Sequence, residues 1–407
     1  MAPAWNKRGV GVTRDDLGLL NDAAVLCTGD KIAAVGSESE LKSQYPDAQR
    51  VDLGGSLVTP ALIDPHTHLV FAGSRHAEFE RRSEGATYLE IAAEGGGILT
   101  TVTATRQASA DELAELGRQR LARFLGYGAA TIEIKSGYGL TIEDELKQLR
   151  AASILAETTR ATIVPTFLGA HAIPPEYRDD AERYVNLVIE EMIPAAADQG
   201  IAVFCDVFCE PGFFTTDQSR RILTAAKEAG FKLKIHADEF ENSQGAELAA
   251  ELGCASADHL LAVSPAGIEA LADSGCVAVM LPGTALFLGK SEYAPARRLI
   301  DNGVRVALST DFNPGSCYSE NLSLTLSLAC TNMNMTVAEA LAGATVNAAA
   351  ALDLDDRGAL MPGMRCDLAA FDAPDYAYLP YHMGERFLHA LVLGGHAHFP
   401  PPARLPD

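Results

Sequence analysis

The feature of this sequence that most restricts its fold is a regular alternation between positions 58 and 356. Short apolar runs, many of them β-branched, are followed by long stretches rich in Ala, Leu, Glu and Arg. The predicted strands lie in the segments ALIDPHTH, ATIEIKSG, ATIVPTFLGAH, AVFCDVFCE, KLKIHADE, SADHLLAV, CVAVMLP and RVALSTDFNP. Strands alternating with helices over roughly 300 residues predict a (β/α)8 TIM-like barrel, a fold that typically needs about 250.

A doubly wound open sheet is the competing interpretation of the same alternation. That fold usually binds a dinucleotide through a GxGxxG turn at its first helix, and the sequence has no such turn at this position. The barrel is therefore favoured.

The two ends of the chain have a different residue pattern from the middle. Residues 17–56 and the segment after 356 consist of short apolar runs interrupted by Gly and Pro. Gly29-Asp30 lies between two such runs, as is typical of a hairpin turn. We expect residues 1–57 and 357–407 to form one small β-sandwich domain, and residues 58–356 to form the barrel.

Composition excludes several classes of partner. The formal net charge is −22, which argues against binding to nucleic acid or to an anionic membrane surface. The chain has no uncharged apolar run of membrane-spanning length. Eight cysteines are scattered without a CxxC pair, and the N-terminus lacks an apolar signal core. These features predict reduced thiols in a cytoplasmic protein.

Residues that can bind a metal follow several predicted strands. His66 and His68 flank Thr67, so both imidazoles point to one face of an extended segment. His236 and Asp311 end two later strands, and barrel enzymes carry their chemistry at these carboxyl ends. Three imidazoles and one carboxylate suit zinc or ferrous iron. The four residues therefore form a predicted metal site.

Several segments resemble the imidazolonepropionase family of the amidohydrolase superfamily. They are DPHTHLVFAGSRHAEFERR, IEIKSGYGL, TFLGAHAIPPEY, KIHADEF, LPGTALFLG and LSTDFNPGS. The resemblance extends over nearly the whole chain. It implies metal-dependent hydrolysis of the ring C–N bond of 4-imidazolone-5-propanoate to N-formimidoyl-L-glutamate in L-histidine catabolism. It also implies a homodimer.

The resemblance suggests roles for residues near the predicted metal site. His259 is the first candidate for the proton shuttle, and Asp311 is expected to share that duty while binding the metal. Glu239 is expected to hydrogen-bond the ring or the attacking water. His171 is expected to donate to the developing oxyanion or to bind the ring.

A second set of residues is expected to bind the substrate. Arg75 is the candidate for the propanoate tail, because a guanidinium pairs with a carboxylate through two hydrogen bonds. Tyr138 is expected to hydrogen-bond the substrate. The amide and backbone N–H groups of Asn313, Gly315 and Ser316 are expected to seat a carboxylate or the formimidoyl group.

The number of metal ions is predicted from a missing lysine. Some amidohydrolases bridge two metals with a carbamylated lysine at the end of a barrel strand. The segment ATIVPTFLGAH ends in His171 and contains no lysine, while Lys135 lies one strand earlier. We expect one divalent ion, zinc or iron, and a structural or hydrogen-bonding Lys135.

Two other functions fit parts of the pattern. A cytosine or guanine deaminase-like amidohydrolase would share the metal ligands but would not need Arg75 or the STDFNPGS loop. A catalytically dead barrel used as a scaffold would be expected to lack a ligand, and all four candidates are present.

Overall fold

The predicted barrel is present in a computed structural model, which describes residues 9–86, 90 and 96–399. Its strands in chain order are β1 (Ala23–Thr28), β2 (Lys31–Ser37), β3 (Leu57–Pro60), β4 (Leu62–Asp64), β5 (Ala129–Lys135), β6 (Thr162–Ala170), β7 (Phe204–Cys209), β8 (Lys232–Ala237), β9 (Ser256–His259), β10 (Val277–Met280), β11 (Val306–Leu308), β12 (Leu368–Phe371), β13 (Leu388–Leu393) and β14 (His396–His398). Strands β4 to β11 form one eight-stranded parallel sheet in sequential order. All eight predicted barrel strands are confirmed.

Helices alternate with these strands in the described part of the chain. The α-helices span Glu38–Gln44, His76–Ser83, Ile98–Gln107, Ala110–Gly126, Ile142–Thr158, Ala181–Leu187, Ile193–Gln199, Thr216–Glu228, Gly245–Leu252, Pro265–Ser274, Pro282–Phe287, Ala296–Asp301, Leu322–Asn332, Val337–Gly343, Val346–Ala351 and Tyr378–Tyr381. Short 3-10 turns cover Asp15–Leu17 and Pro175–Tyr177, and Val188–Met192 is a π-helical turn. Within the part of the chain that the structure describes, every helix is too short or too polar to span a bilayer.

Local sequence explains where several helices begin and end. Ser109 caps the helix Ala110–Gly126 by accepting a hydrogen bond from the backbone N–H of Glu112, whose side chain bonds back to the cap. Thr215 caps the helix Thr216–Glu228 in the same way. Gly253 and Gly275 end their helices in the left-handed conformation, at φ 71° and 73°.

The barrel closes just beyond its first and last strands. Thr67 forms a parallel bridge with Phe312, and the backbone N–H of His68 donates to the carbonyl of Phe312 at 2.9 Å. Ser309 donates through its hydroxyl to the carbonyl of His66 at 2.8 Å. These contacts form the seam between β4 and β11. The seam brings the His66–His68 segment against the segment that carries Asp311.

A four-stranded antiparallel sheet joins the two ends of the chain. Its order is β14-β13-β12-β3, so a strand before the barrel pairs with strands after it. Strands β1 and β2 form the predicted hairpin, with Gly29 at φ 60° in the turn. The expected combination of a barrel with a smaller β-region built from both chain ends is observed.

One expectation about the cysteines is wrong. Cys27 and Cys366 form a disulfide with Cα atoms 6.4 Å apart, whereas the sequence predicted reduced thiols throughout. The pairing β3–β12 and the bridge between Lys31 and Arg365 bring the two ends of the chain together there. The two cysteines are 339 residues apart in the sequence, so the local pattern around each gave no indication that they would meet. The remaining six cysteines are free.

Candidate active site

His66 lies fully buried just after β4 and is oriented by a carboxylate. Its Nδ1 lies 2.6 Å from Oδ2 of Asp258, at the end of β9. Because a carboxylate can only accept, Nδ1 carries the proton and Nε2 keeps its lone pair. Within the described part of the chain, Nε2 has no hydrogen-bond partner. His66 is therefore set up to coordinate through Nε2.

His236 lies against a second carboxylate. Its Nδ1 lies 3.0 Å from Oδ2 of Asp206, and its backbone N–H donates to Oδ1 of the same residue at 3.2 Å. Neither ring nitrogen of His236 has a hydrogen-bond partner among the described residues. The rings of His66 and His236 are 4.5 Å apart between centroids. Two buried imidazoles thus present unpartnered nitrogens to the same space.

Asp311 completes the predicted ligand set from the opposite side of the seam. Its Oδ1 lies 3.5 Å from Nε2 of His66 and 3.7 Å from Nε2 of His68. Its Oδ2 accepts a hydrogen bond from the hydroxyl of Thr284 at 2.5 Å. Burial raises the pKa of Asp311 to about 6, although the Thr284 hydrogen bond opposes this shift.

These residues form two overlapping clusters of candidate metal ligands. Atoms of His66, His68 and Asp311 all lie within 4.8 Å of one another, and so do atoms of His66, His236 and His259. His66 is shared, and His259, expected as a proton shuttle, joins the second cluster. Buried imidazole nitrogens without partners and one carboxylate are the donor set that a divalent metal ion requires. The residues present therefore fit the metal that the sequence implied.

Glu239 and His259 lie beside the candidate ligands. Oε2 of Glu239 is 3.7 Å from Nε2 of His259, and both side chains are buried. Burial raises the pKa of Glu239 to about 8, and the negative charge of Asp311 acts in the same direction. Burial lowers the pKa of His259. The pair is thus placed to hold and transfer a proton inside the barrel mouth.

His171 and Tyr138 form the adjacent wall. The ring of His171 stacks on His68 with centroids 5.0 Å apart, and Tyr138 lies 5.3 Å from His171. Nδ1 of His171 is 2.9 Å from the carbonyl of Gly137, so it donates there and leaves Nε2 as the other polar atom. Burial lowers the pKa of His171 to about 3, which keeps the ring neutral.

Arg75 lies at the edge of the site, directly before the helix His76–Ser83. Its Nε donates to Oε2 of Glu78 at 2.8 Å. Oε1 of Glu78 accepts from the backbone N–H of Gly97 at 2.9 Å. A Cβ added to Gly315 would collide with Nη1 of Arg75, so the guanidinium lies against that glycine.

The loop after Asp311 is organised around one side chain. Oδ1 of Asn313 accepts the backbone N–H groups of Gly315 and Ser316 at 2.8 and 2.7 Å. Its Nδ2 donates to the carbonyl of Asp311 and to the hydroxyl of Ser316. The donors expected to seat a carboxylate are therefore bonded to one another in this structure, and Asn313 shapes the loop.

Sequence reasoning missed the carboxylates that hold these side chains. Asp258 hydrogen-bonds the imidazole of His66, Asp206 lies against that of His236, and Glu210 accepts the backbone N–H groups of residues 239 to 241. Glu145 accepts the N–H groups of Gly137, Gly139 and Leu140 and so shapes the Tyr138 loop. The available signal was a lone acid inside an apolar strand, as in AVFCDVFCE and SADHLLAV.

Comparison with known families agrees with this geometry. The Amidohydrolase family pattern matches residues 57–390, which include the barrel and every candidate site residue. The pattern described as an imidazolonepropionase-like composite domain of bacteria matches residues 23–48.

The solved structures that resemble this chain show the same fold at low sequence identity. The 5-methylcytosine deaminase from Klebsiella pneumoniae has a TM-score of 0.73 at 16% identity, over 94% of this chain and 96% of that one. E. coli guanine deaminase has a TM-score of 0.68 at 17% identity, over 93% of each chain.

Curated relatives are far more similar in sequence. The imidazolonepropionase of Geobacillus kaustophilus is 51% identical over 385 residues, which is 93% of this chain and 91% of that protein. The imidazolonepropionase of Alkaliphilus oremlandii is 46% identical over 396 residues, which is 96% of this chain and 94% of that protein. This chain therefore belongs to the imidazolonepropionases, within the amidohydrolase family.

Proposed function

We propose that this protein hydrolyses the ring C–N bond of 4-imidazolone-5-propanoate to give N-formimidoyl-L-glutamate in L-histidine catabolism. Near-full-length similarity to imidazolonepropionases supports the substrate. The observation that supports the chemistry is the pair of buried clusters His66–His68–Asp311 and His66–His236–His259, which share His66 and include unpartnered imidazole nitrogens.

The proposed site binds one divalent ion, zinc or iron, through His66, His68, His236 and Asp311. Such an ion, when bound, lowers the pKa of water so that hydroxide is available near neutral pH. Asp258 holds His66 in the tautomer that coordination requires, and Asp206 lies 3.0 Å from Nδ1 of His236. Lys135 is buried between carboxylates, which fits a single-metal site without a bridging carbamate.

Proton transfer is assigned to His259, Glu239 and Asp311. Hydrolysis adds water to the ring carbonyl carbon, breaks its bond to the ring nitrogen, and leaves a carboxylate and a protonated nitrogen. His259, with Asp311 beside the site, accepts the proton that the water gives up. Glu239, 3.7 Å from His259, hydrogen-bonds the ring and returns a proton to the departing nitrogen.

Substrate binding is assigned to Arg75, Tyr138 and His171. The guanidinium of Arg75 pairs with the propanoate carboxylate, and Gly315 leaves the space in which it lies. His171 and Tyr138 hydrogen-bond the ring or its oxyanion. Asn313 and Ser316 hold the loop that carries Gly315.

The remaining parts of the proposal concern domains, location and assembly. Residues 1–57 and 357–407 are proposed to form one β-domain beside the barrel of residues 58–356, since β3 pairs with β12. A cytoplasmic homodimer without nucleic-acid or membrane partners is supported by the family resemblance and by the net charge of −22.

The test is a hydrolysis assay on 4-imidazolone-5-propanoate with and without added zinc or iron. We expect metal-dependent turnover, and a KM raised 10-fold or more for Arg75→Ala, since a charge-assisted bidentate pair contributes about 1.5–3 kcal/mol. Arg82→Ala is the control. Arg82 lies further along the helix His76–Ser83, and its guanidinium lies over the rings of Phe79 and Phe287. Turnover of cytosine or guanine without turnover of the imidazolone would instead favour a deaminase.

A further inference from the structure

Lys135 lies at the centre of a buried ionic network beneath the candidate metal ligands. Its side chain, the last of β5, has no exposure to solvent. Nζ lies 2.8 Å from Oε1 of Glu133, 2.8 Å from Oδ2 of Asp206 and 4.0 Å from Oδ2 of Asp258. One ammonium group thus neighbours three carboxylates that come from three different strands.

Each of these carboxylates holds a different part of the candidate metal site. Oε2 of Glu133 accepts the backbone N–H of Thr67, the residue between His66 and His68, at 3.0 Å. Asp206 lies against Nδ1 of His236 and Asp258 against Nδ1 of His66. Lys135 is therefore one residue away from two of the four predicted ligands, His66 and His236, and from Thr67, which lies between His66 and His68.

We propose that Lys135 is a positioning residue for the metal centre, because its ammonium group hydrogen-bonds Glu133 and Asp206, the carboxylates that contact the Thr67 backbone and His236. This inference deepens the proposed function and rests on it. Lys135 does not touch substrate or metal in this role. It acts through Glu133 and Asp206.

Charge and hydrogen bonding explain why a neutral side chain in place of Lys135 would not hold these carboxylates. Nζ of Lys135 lies within hydrogen-bonding distance of both Glu133 and Asp206, and both carboxylates are fully buried. Without the ammonium group, each carboxylate loses a charge-assisted hydrogen bond and faces its neighbour's negative charge. The carboxylates must then shift, and the imidazoles and the Thr67 backbone that they hold shift with them.

Lys234 provides a matched comparison on a neighbouring strand. It is also fully buried, and its Nζ donates to the hydroxyl of Ser256 at 2.7 Å. It lies 3.6 Å from Asp258 and has no ion-pair contact with Glu133 or Asp206 within the described residues. A role based on burial or general charge would affect both lysines equally, whereas the positioning role applies chiefly to Lys135.

The experiment compares Lys135→Met and Lys234→Met with the unsubstituted full-length protein, using cobalt(II) as the probe. Competition with a chelator gives the cobalt dissociation constant, and the visible absorption spectrum reports the geometry of the ligands. We expect Lys135→Met to raise the dissociation constant about 10- to 100-fold and to change the spectrum, as loss of a residue behind a ligand typically does. Lys234→Met is expected to change the dissociation constant less than about 3-fold and to keep the spectrum.

Other outcomes separate this inference from the proposed function. If the unsubstituted protein binds cobalt and Lys135→Met binds it with the same affinity and spectrum, the positioning role is overturned and the proposed function stands. If the unsubstituted protein binds no divalent ion, both are overturned. Should Lys135→Met not fold, Lys135→Gln, which retains an N–H donor, takes its place under the same criteria. Failure of both variants to fold overturns positioning in favour of a purely structural role.

Discussion

Backbone conformation at single residues helps to shape the candidate site. His259 and Asp311 adopt left-handed conformations, with φ values of 81° and 52°. Asp238, next to Glu239, has a φ of 52°. Non-glycine residues in this region cost about 1–3 kcal/mol and occur preferentially at functional sites. The barrel thus retains local strain at the strand ends where the proposed ligand Asp311 and the proton-transfer residues lie.

Glu239 offers a prediction for proton transfer. In Glu239→Gln the side chain keeps its size but no longer exchanges a proton, so we expect kcat to fall about 10²- to 10⁴-fold. Metal content is expected to stay the same, because Glu239 is not among the predicted ligands. Steady-state kinetics and metal analysis of the purified variant give both values.

Glu241→Gln is the control for this substitution, because residue 241 is exposed and two positions away. It is expected to leave kcat unchanged. A near-normal kcat in Glu239→Gln would show that Glu239 takes no part in proton transfer.

Gly315 offers a prediction for binding of the substrate tail. A methyl group at this position would meet the guanidinium of Arg75, and the backbone of Gly315 is not left-handed, so the collision is the main effect of Gly315→Ala. We expect KM for the imidazolone to rise about 10-fold or more, since a charge-assisted bidentate pair contributes about 1.5–3 kcal/mol. The fall in kcat is expected to be smaller.

Substrate kinetics of Gly315→Ala test this placement of Arg75. Gly289→Ala is not a suitable control, because Gly289 is left-handed and alanine would be strained there. Ser319→Ala, after the loop, is expected to keep the normal KM. An unchanged KM in Gly315→Ala would place the tail elsewhere.

At the scale of elements, Arg357 links the segment after the barrel to two barrel strands. This nearly buried side chain donates through Nη1 to the hydroxyls of Thr131 on β5 and Thr162 on β6, at 2.9 and 2.6 Å. Its Nε donates to Asp356 at 2.8 Å. These contacts lie toward the amino ends of β5 and β6, whereas the candidate site lies at the carboxyl ends.

We expect Arg357→Met to lower the free energy of unfolding by about 2–4 kcal/mol, because it leaves the buried hydroxyl of Thr131 and the partly buried hydroxyl of Thr162 without this donor and removes an ion pair of Asp356. The kinetic constants of the folded variant are expected to be unchanged. Urea unfolding and steady-state kinetics measure the two effects. Arg14→Ala, which breaks an exposed ion pair with Asp375, is expected to cost less than about 1 kcal/mol. A loss of activity in folded Arg357→Met would contradict the separation of the two ends of the barrel.

At the scale of the whole molecule, metal binding is expected to contribute to stability. A ligand that binds only the folded state stabilises it by about 4 kcal/mol when present at a thousand times its dissociation constant. Removing the metal with a chelator is therefore expected to lower the Tm by several degrees, and added zinc should restore it. Calorimetry with and without chelator measures the shift.

His66→Ala is the matched variant for this measurement, because it removes the residue shared by both candidate ligand clusters. Its Tm is expected to be insensitive to chelator. A chelator-dependent Tm in this variant would mean that the stabilising metal binds elsewhere.

The local pattern of the chain was sufficient to locate the elements. All eight barrel strands were found from apolar, β-branched runs between helical stretches, and the β1–β2 hairpin from Gly29-Asp30. These features depend on residues that are close together in the sequence, so the sequence alone is enough to predict them. The pairing of Cys27 with Cys366 depends on how the chain ends meet and was missed.

The candidate site shows the same division at the level of side chains. Strand periodicity and the carboxyl-end rule were enough to place His66, His68, His236 and Asp311 in one region. They did not indicate that the side chain of Asn313 is hydrogen-bonded within its own loop, or that Glu78 connects Arg75 to Gly97. Those partners depend on the path of loops, which follow no fixed period.

The amino-acid order was thus enough to define a barrel with metal-binding residue types at its strand ends, because both properties follow from short-range periodicity. It did not reveal that Lys135 meets Glu133, Asp206 and Asp258, or that Arg75 lies against Gly315. Apart from Lys135 and Glu133, which share β5, these contacts join residues 71 to 240 positions apart along the sequence. They form only when the parallel strands assemble and the seam between β4 and β11 closes, which brings distant side chains within hydrogen-bonding distance.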